Sequence, residues 1–144
     1  MNRLYIIGAG PGGLEHLSPA AHAALESCTE LAGHGLYLNL LGPLAEGKIR
    51  HKTPMGEELA RAALALDLAA SGKTTALISS GDAGIYGMAT VVFELLARKP
   101  KPEWANVQIE VIPGISAMQA AAARVGAPLA HDFCVISLSD LLTP

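Results

Sequence analysis

Three times along this chain, a short apolar segment runs into a glycine-rich turn that is followed by a helix-like pattern. The apolar segments cover residues 3–7, 75–79 and 107–111. Apolar runs of this length, bounded by turn residues, predict buried β-strands. Strands that alternate with helices favour a parallel sheet whose crossover connections cover its faces. The pattern therefore predicts an α/β fold in which three glycine turns lie at the carboxyl edge of one sheet.

The other segments continue this alternation. Further strands are predicted at residues 30–32 and 133–137, with a small edge strand as a candidate at 49–51, and helices at 18–27, 36–41, 56–70, 84–98 and 115–125. The helix at 18–27 has a clear start signal, because Ser18 is a favoured N-cap residue and Pro19 suits the first helical position. We expect a five-stranded, mainly parallel sheet with helices on both faces.

Composition narrows the functional classes. The chain has 144 residues, of which 51% are hydrophobic, 16% charged and 4% aromatic, and its formal net charge is -3. A chain this apolar forms a packed core, and its lack of basic runs and aromatic residues makes nucleic acid an unexpected partner. No apolar run reaches the roughly 18 residues of a membrane span. Cys28 and Cys134 form no CxxC pair, so we expect ordinary thiols and a cytoplasmic location.

The three glycine turns contain few bulky or charged residues. They comprise residues 8–13, 79–88 and 113–117. Glycines at the carboxyl ends of parallel strands let a ligand approach the backbone closely. No GKS or GKT lysine is present, so a triphosphate is not the expected ligand. The turns predict a backbone-lined pocket for a small zwitterionic cofactor with an adenine and an amino-acid tail.

Two other interpretations of the glycines stay open. Gly8, Gly10 and Gly13 satisfy the GxGxxG pattern of FAD- or NAD-binding domains. That pattern requires a helix to begin at the turn, whereas the first good helix start is at Ser18. It also expects an acidic residue at the end of the second strand, whereas Glu30 lies at the front of that strand. In the second alternative, the chain is a non-catalytic α/β module whose glycines serve only tight turns.

The motifs GAGPGG, SSGDAGIYGM and PGISA, in this order, resemble the tetrapyrrole (corrin/porphyrin) methylases. The resemblance covers residues 3–144. It implies S-adenosylmethionine-dependent methylation of a corrin precursor in cobalamin and porphyrin biosynthesis. The segment SGDAGIYGM and the C-terminal segment HDFCVISLSDLLTP look most like the corresponding segments of family members that methylate C17 of precorrin-3B with ring contraction. A sibling acting at another ring position is the nearest alternative.

The resemblance also implies roles for individual residues. The residues expected to contact the cofactor are Pro11, Ser80, Gly81, Asp82, Ile85, Ser116 and Ala117, and those expected to border the substrate are Gly10, Pro11 and Gly12. No metal site is expected, and the residue that moves a proton during ring contraction is not identified. His16, beside the first turn, is the one histidine we single out as a candidate acid or base.

Several of these residues have structural interpretations too. Asp82 could form an Asx-turn, Ser116 a plain N-cap, and Tyr86 could line the pocket or pack at a helix start. Gly81→Val is expected to block cofactor binding without disturbing the fold.

The resemblance finally predicts how the chain is organised. Residues 1–137 would form the N-terminal methylase domain, and residues 138–144 would begin a linker to a second α/β domain that this chain lacks. The chain alone is then expected to be inactive. The full-length protein is expected to be a homodimer acting on a precorrin, without nucleic-acid or membrane partners.

Overall fold

The computed structural model describes residues 2–138, which form a sheet covered by helices on both faces. The strands are β1 (Arg3–Gly8), β2 (Glu30–His34), β3 (Ile49–Thr53), β4 (Thr74–Ser79) and β5 (Gln108–Ile112). The helices are α1 (Pro19–Ser27), α2 (Gly35–Leu40), α3 (Glu58–Ala70), α4 (Met88–Arg98) and α5 (Ala117–Val125). The predicted fold class is confirmed.

The sheet has the order β3-β2-β4-β1-β5, and every pairing between these strands is parallel. The register sets Gly8 beside Ser79 and Ile7 beside Ile112. Because β1 lies between β4 and β5, the loops that follow these three strands meet at one edge. This placement brings the three glycine turns together.

Two apolar layers enclose the sheet, as expected for parallel strands that are buried on both faces. On one face, α3 and α4 pack against side chains of β1 and β4; the buried residues there include Leu4, Ile6, Leu66, Leu77 and Val92. On the other face, α1 and α2 cover the alternate side chains; the buried residues there include Ile7, Leu25, Leu31, Leu38 and Ile78. Helix α5 contributes no buried residue to either layer.

The predicted strand at residues 133–137 is wrong. This segment belongs to no strand of the described chain, and Phe133 and Ile136 are 56% and 74% exposed. The fifth strand is β3, which was the candidate edge strand and pairs with β2. An apolar pattern indicates a preference for extended backbone. A β-strand also needs a neighbouring strand whose backbone groups pair with its own N–H and C=O groups. The predicted linker, 138–144, lies outside the described residues apart from Leu138.

Three helices begin later than predicted, and one of them is α5, which begins at Ala117 instead of Ile115. Helix α4 begins at Met88 instead of Gly84, because Tyr86 has a φ of 51° and Gly87 is extended, so the intervening residues form a turn. Helix α3 begins at Glu58 instead of Gly56, whose φ of 87° is incompatible with a right-handed helix. Helix α1 begins as predicted, with the Ser18 hydroxyl accepting a hydrogen bond from the Ala21 amide.

Candidate functional site

The first and second glycine turns are joined through their backbones. The Gly10 amide donates to the Gly81 carbonyl over 3.0 Å, and the Gly81 amide donates back to the Gly10 carbonyl over 2.9 Å. The Ala9 amide also donates to the Ser79 carbonyl, over 2.8 Å. These bonds extend the β1–β4 contact beyond the ends of the strands and hold the two turns edge to edge.

The third turn packs against this pair so closely that side chains are excluded. A Cβ atom on Gly114 would collide with the backbone oxygens of Gly8 and Gly81. A Cβ atom on Gly8 would lie 2.7 Å from the Gly114 nitrogen. These two glycines are therefore required for the packing of the three turns against one another. We call this meeting point of residues 8–13, 79–88 and 113–117 the three-turn junction.

Asp82 fastens the junction with its carboxylate. One carboxylate oxygen accepts a hydrogen bond from the Gly84 amide at 2.8 Å, which forms a local turn. The other accepts from the Gly114 amide at 2.9 Å, which ties the second turn to the third. Hydrogen bonds to an ionised acceptor are the stronger kind. Asp82 thus has a clear structural role, and the side chain also faces a cavity.

A cavity of about 530 Å³ opens above the three-turn junction. This volume lies in the range of small-molecule sites. Its lining includes every residue that the sequence assigned to cofactor or substrate, namely Gly10, Pro11, Gly12, Ser80, Gly81, Asp82, Ile85, Ser116 and Ala117. The structure therefore brings residues that are more than 100 positions apart to one site. Their binding roles stay predictions.

Sequence reasoning missed one wall of the cavity. This wall is apolar and is formed by the segment that follows the first turn and by helix α2 with the residue after it; its residues are Leu14, Leu17, Tyr37, Leu40 and Leu41. Part of this wall was predictable from the sequence, since Tyr37, Leu40 and Leu41 have the spacing of one helix face. The segment 135–137 lines the cavity too, and Asp82 is the one charged side chain among the described lining residues. The cavity thus offers apolar surface and backbone polar groups.

His16 lies beside the first turn but is not among the residues that line the cavity. Its Nδ1 atom is 3.1 Å from the Gly12 carbonyl oxygen and 3.6 Å from a carboxylate oxygen of Glu15. Its backbone carbonyl lies 3.2 Å from the Cβ position of Gly10. These contacts support the turn, and they give the acid–base hypothesis for His16 no further support.

Ser116 forms the N-cap of α5. Its hydroxyl accepts from the Gln119 amide, and the Gln119 side chain accepts from the Ser116 amide, which completes a capping box. Ser116 is 3% exposed. Its side chain is therefore engaged in the helix start, while the next residue, Ala117, is exposed at the cavity.

Gly81 has a φ of 61°, in the left-handed region. A Cβ atom there would meet the third turn only at ordinary distances of 3.5 Å or more. A β-branched residue at this φ is strained whatever the space. Gly81→Val would therefore disturb the junction as well as the cavity, so it is not the fold-neutral change that the sequence predicted.

The dinucleotide alternative requires an α-helix at the first turn. In the structure a single 3-10 turn, Leu14–His16, follows Gly13, and α1 begins only at Pro19. The turn therefore does not present the N-terminus of an α-helix to a pyrophosphate. Among residues 2–138, no cluster of three or more His, Cys, Asp or Glu residues could hold a metal ion. The same described part of the chain has no helix long and apolar enough to cross a membrane.

Comparison with known families decides between the remaining interpretations. A model of the tetrapyrrole (corrin/porphyrin) methylases matches residues 3–144. The chain belongs to this family. The methylase assignment predicted from the three motifs is confirmed.

Individual relatives of this chain are named as methyltransferases of cobalt-factor III and of precorrin-3B. The chain is 46% identical over 142 residues to a cobalt-factor III methyltransferase of Priestia megaterium, covering 99% of this chain and 26% of that protein. It is 43% identical over 141 residues to a precorrin-3B C(17)-methyltransferase of Sinorhizobium sp, covering 98% of this chain and 55% of the relative. The chain thus spans between about a quarter and just over half of these relatives.

Solved structures agree with the fold. The crystal structure of the methyltransferase CobJ has a TM-score of 0.89 and 44% identity, covering 98% of this chain and 58% of that one. A uroporphyrin-III C-methyltransferase from Thermus thermophilus, complexed with S-adenosyl homocysteine, has a TM-score of 0.65 and 27% identity, covering 90% of this chain and 50% of that one. The fold of this chain is therefore shared with a protein that was solved in complex with S-adenosyl homocysteine.

Proposed function

We propose that this chain forms the cofactor-binding half of an S-adenosylmethionine-dependent methyltransferase. Its substrate is a precorrin that is methylated at C17, with ring contraction, in cobalamin biosynthesis. The observation that carries the proposal is the single cavity lined by the cofactor residues predicted from all three motifs. The names of the relatives support the choice of substrate and ring position.

The residues present fit such a cofactor. The cavity has the volume of a small-molecule site, and its polar lining consists mainly of backbone and hydroxyl groups. Ser80, Gly81, Ile85 and Ala117 would hold the cofactor from the second and third turns, and Pro11 from the first. A ligand with an adenine and an amino-acid tail needs this combination of apolar surface and backbone partners. When bound, S-adenosylmethionine supplies an electrophilic methyl group.

The contribution of this chain to the reaction is positioning and the exclusion of water. The three-turn junction is held by backbone hydrogen bonds, so its donors and acceptors are fixed before a ligand arrives. Such preorganisation aligns two reactants without a further entropic cost. The apolar wall formed by Leu14, Leu17 and α2 keeps water from the reacting groups.

The remaining parts of the enzyme belong to the same proposal. Residues 1–137 form its N-terminal domain, and 138–144 lead towards a second α/β domain, because the relatives are longer than this chain. We also propose that the full-length enzyme is a cytoplasmic homodimer. A sibling specificity is distinguished by offering precorrin-3B and another precorrin in turn and detecting the methylated, ring-contracted product by mass spectrometry.

Calorimetric titration of the chain with S-adenosylhomocysteine, and with FAD in parallel, tests the cavity. Ala117→Phe places a large side chain at the cavity, whereas Ala123→Phe makes the same change at an exposed position of α5 that does not line it. We expect saturable binding of S-adenosylhomocysteine alone, lost in Ala117→Phe and kept in Ala123→Phe. Binding of FAD alone, no binding of either ligand, or equal binding by both variants would contradict the proposal.

A further inference from the structure

Tyr86 has an unusual backbone conformation at the edge of the cavity. Its φ of 51° lies in the left-handed region, which among the described non-glycine residues is shared only by His131, at 56°. This region is costly for a bulky side chain and is normally occupied by glycine or asparagine. The second turn already uses glycine at Gly81, Gly84 and Gly87. A tyrosine at this position therefore needs a reason.

The packing of the fold does not supply that reason. The Tyr86 side chain is 58% exposed and belongs to neither apolar layer. The turn is fixed from both sides by other groups: the Met88 amide donates to the Ser79 hydroxyl over 3.2 Å, and the Ala89 amide donates to the Ala83 carbonyl over 3.0 Å. These bonds hold the residues on both sides of Tyr86 and do not involve its side chain.

The side chain lies instead at the cavity. Tyr86 and Ile85 both line it, and the Tyr86 hydroxyl donates to the Val135 carbonyl over 3.1 Å. The carboxylate of Asp82 in the same turn is already occupied by two backbone amides. The side chains that the second turn exposes at the cavity are therefore those of Ser80, Ile85 and Tyr86.

We propose that Tyr86 is a ligand-binding residue whose ring packs against the cofactor, and that the chain accepts a strained backbone in order to hold the ring there. This inference rests on the proposed function. Strained residues persist where the surrounding structure imposes them, and they are concentrated at ligand sites. As a consequence, the stability of the fold favours glycine at position 86, whereas affinity for the ligand favours tyrosine.

Two substitutions distinguish the effect on stability from the effect on ligand affinity. Tyr86→Gly and Tyr86→Ala both remove the ring, but only alanine keeps the Cβ atom that strains the left-handed backbone. We expect Tyr86→Gly to unfold at a temperature no lower than the unchanged chain and roughly 2–5 °C above Tyr86→Ala. Calorimetry should show that both variants lose about tenfold or more in affinity for S-adenosylhomocysteine. A merely structural residue could not combine unchanged stability with lost affinity.

His131→Gly is the matched control, because it relieves the same kind of strain at a residue that does not line the cavity. It should raise the unfolding temperature and leave the affinity unchanged. If Tyr86→Gly unfolds below the unchanged chain, or if both Tyr86 variants bind with unaltered affinity, the inference is wrong while the proposed function stands. If the unchanged chain binds no S-adenosylhomocysteine, the proposed function fails and the role of Tyr86 fails with it.

Discussion

At the scale of single residues, Asp82 determines how two distant turns are held together. Replacing it by alanine leaves the amides of Gly84 and Gly114 without their acceptor, whereas asparagine keeps one carbonyl oxygen. We expect Asp82→Ala to lower the free energy of unfolding by about 2–3 kcal/mol and Asp82→Asn by about 1–2 kcal/mol. Urea denaturation followed by circular dichroism measures both values.

Glu94→Gln is a suitable control for this prediction. Glu94 is exposed and lies 3.9 Å from Arg98 on the surface of α4. Its replacement should change stability by less than about 0.5 kcal/mol. Equal stabilities of Asp82→Ala, Glu94→Gln and the unchanged chain would show that the Asp82 carboxylate does not fasten the junction.

The sequence indicated which residues gather at the site, but only part of what each one does. The capping role of Ser116 was predictable, because its partner Gln119 is three positions away. The bond from Asp82 to Gly114 spans 32 positions. A partner that distant depends on which strands are neighbours, and local spacing does not contain that information.

At the scale of elements, the three-turn junction requires glycine at the end of β5. Gly114→Ala would force the third turn away from the backbones of Gly8 and Gly81. We expect the free energy of unfolding to fall by about 1–3 kcal/mol, because neither neighbour is a flexible side chain that can yield. The cavity should be distorted as well, so affinity for S-adenosylhomocysteine should fall.

Gly47→Ala is the control that distinguishes the Cβ collision at Gly114 from the general effect of replacing a glycine. Gly47 has a φ of 70°, but nothing lies within 4 Å of its Cβ position. Its replacement strains the backbone locally and leaves the junction untouched. Comparable losses of ligand affinity in the two variants would show that close backbone packing at Gly114 is not what shapes the cavity.

The elements themselves were largely predictable. Strands β1, β4 and β5 and helix α1 lie within about two residues of their predicted positions, because each has an apolar core flanked by clear turn or cap residues. The order β3-β2-β4-β1-β5 was not predictable in detail, since it depends on which crossovers pack together. The error at 133–137 has the same origin: a strand is defined by its neighbour.

At the scale of the whole molecule, the sheet carries a buried charge at the edge opposite the cavity. Glu30 is 2% exposed at the amino end of β2, where its carboxylate accepts hydrogen bonds from His51 at 2.7 Å and Lys73 at 3.1 Å. Burial opposes ionisation, but the hydrogen bonds and charges of these two partners outweigh it. They hold the pKa of Glu30 below its ordinary value of 4.5.

This lowered pKa predicts how stability depends on pH. Between the ordinary and the lowered pKa, the unfolded chain binds more protons at Glu30 than the folded chain does. The contribution of Glu30 is therefore complete above about pH 4.5 and is lost as the pH falls through its folded pKa. Comparing urea unfolding at pH 6 and pH 3 should show a smaller acid-induced loss in Glu30→Gln than in the unchanged chain. Equal losses in both chains would contradict this assignment.

The rate at which the Cys28 thiol is labelled tests whether the protein unfolds as one cooperative unit. Its thiol is 3% exposed between α1 and β2, and burial raises its pKa to about 11, whereas Cys134 is exposed. Since the thiolate is the reactive form, a disulfide reagent at pH 8 should modify Cys134 in the folded protein and Cys28 only on opening. In a Cys134→Ser background, Gly114→Ala should raise the logarithm of the Cys28 labelling rate in proportion to its loss of global stability, as two-state unfolding requires. If Gly114→Ala leaves the Cys28 labelling rate unchanged, the carboxyl edge of the sheet unfolds locally, without the rest of the sheet.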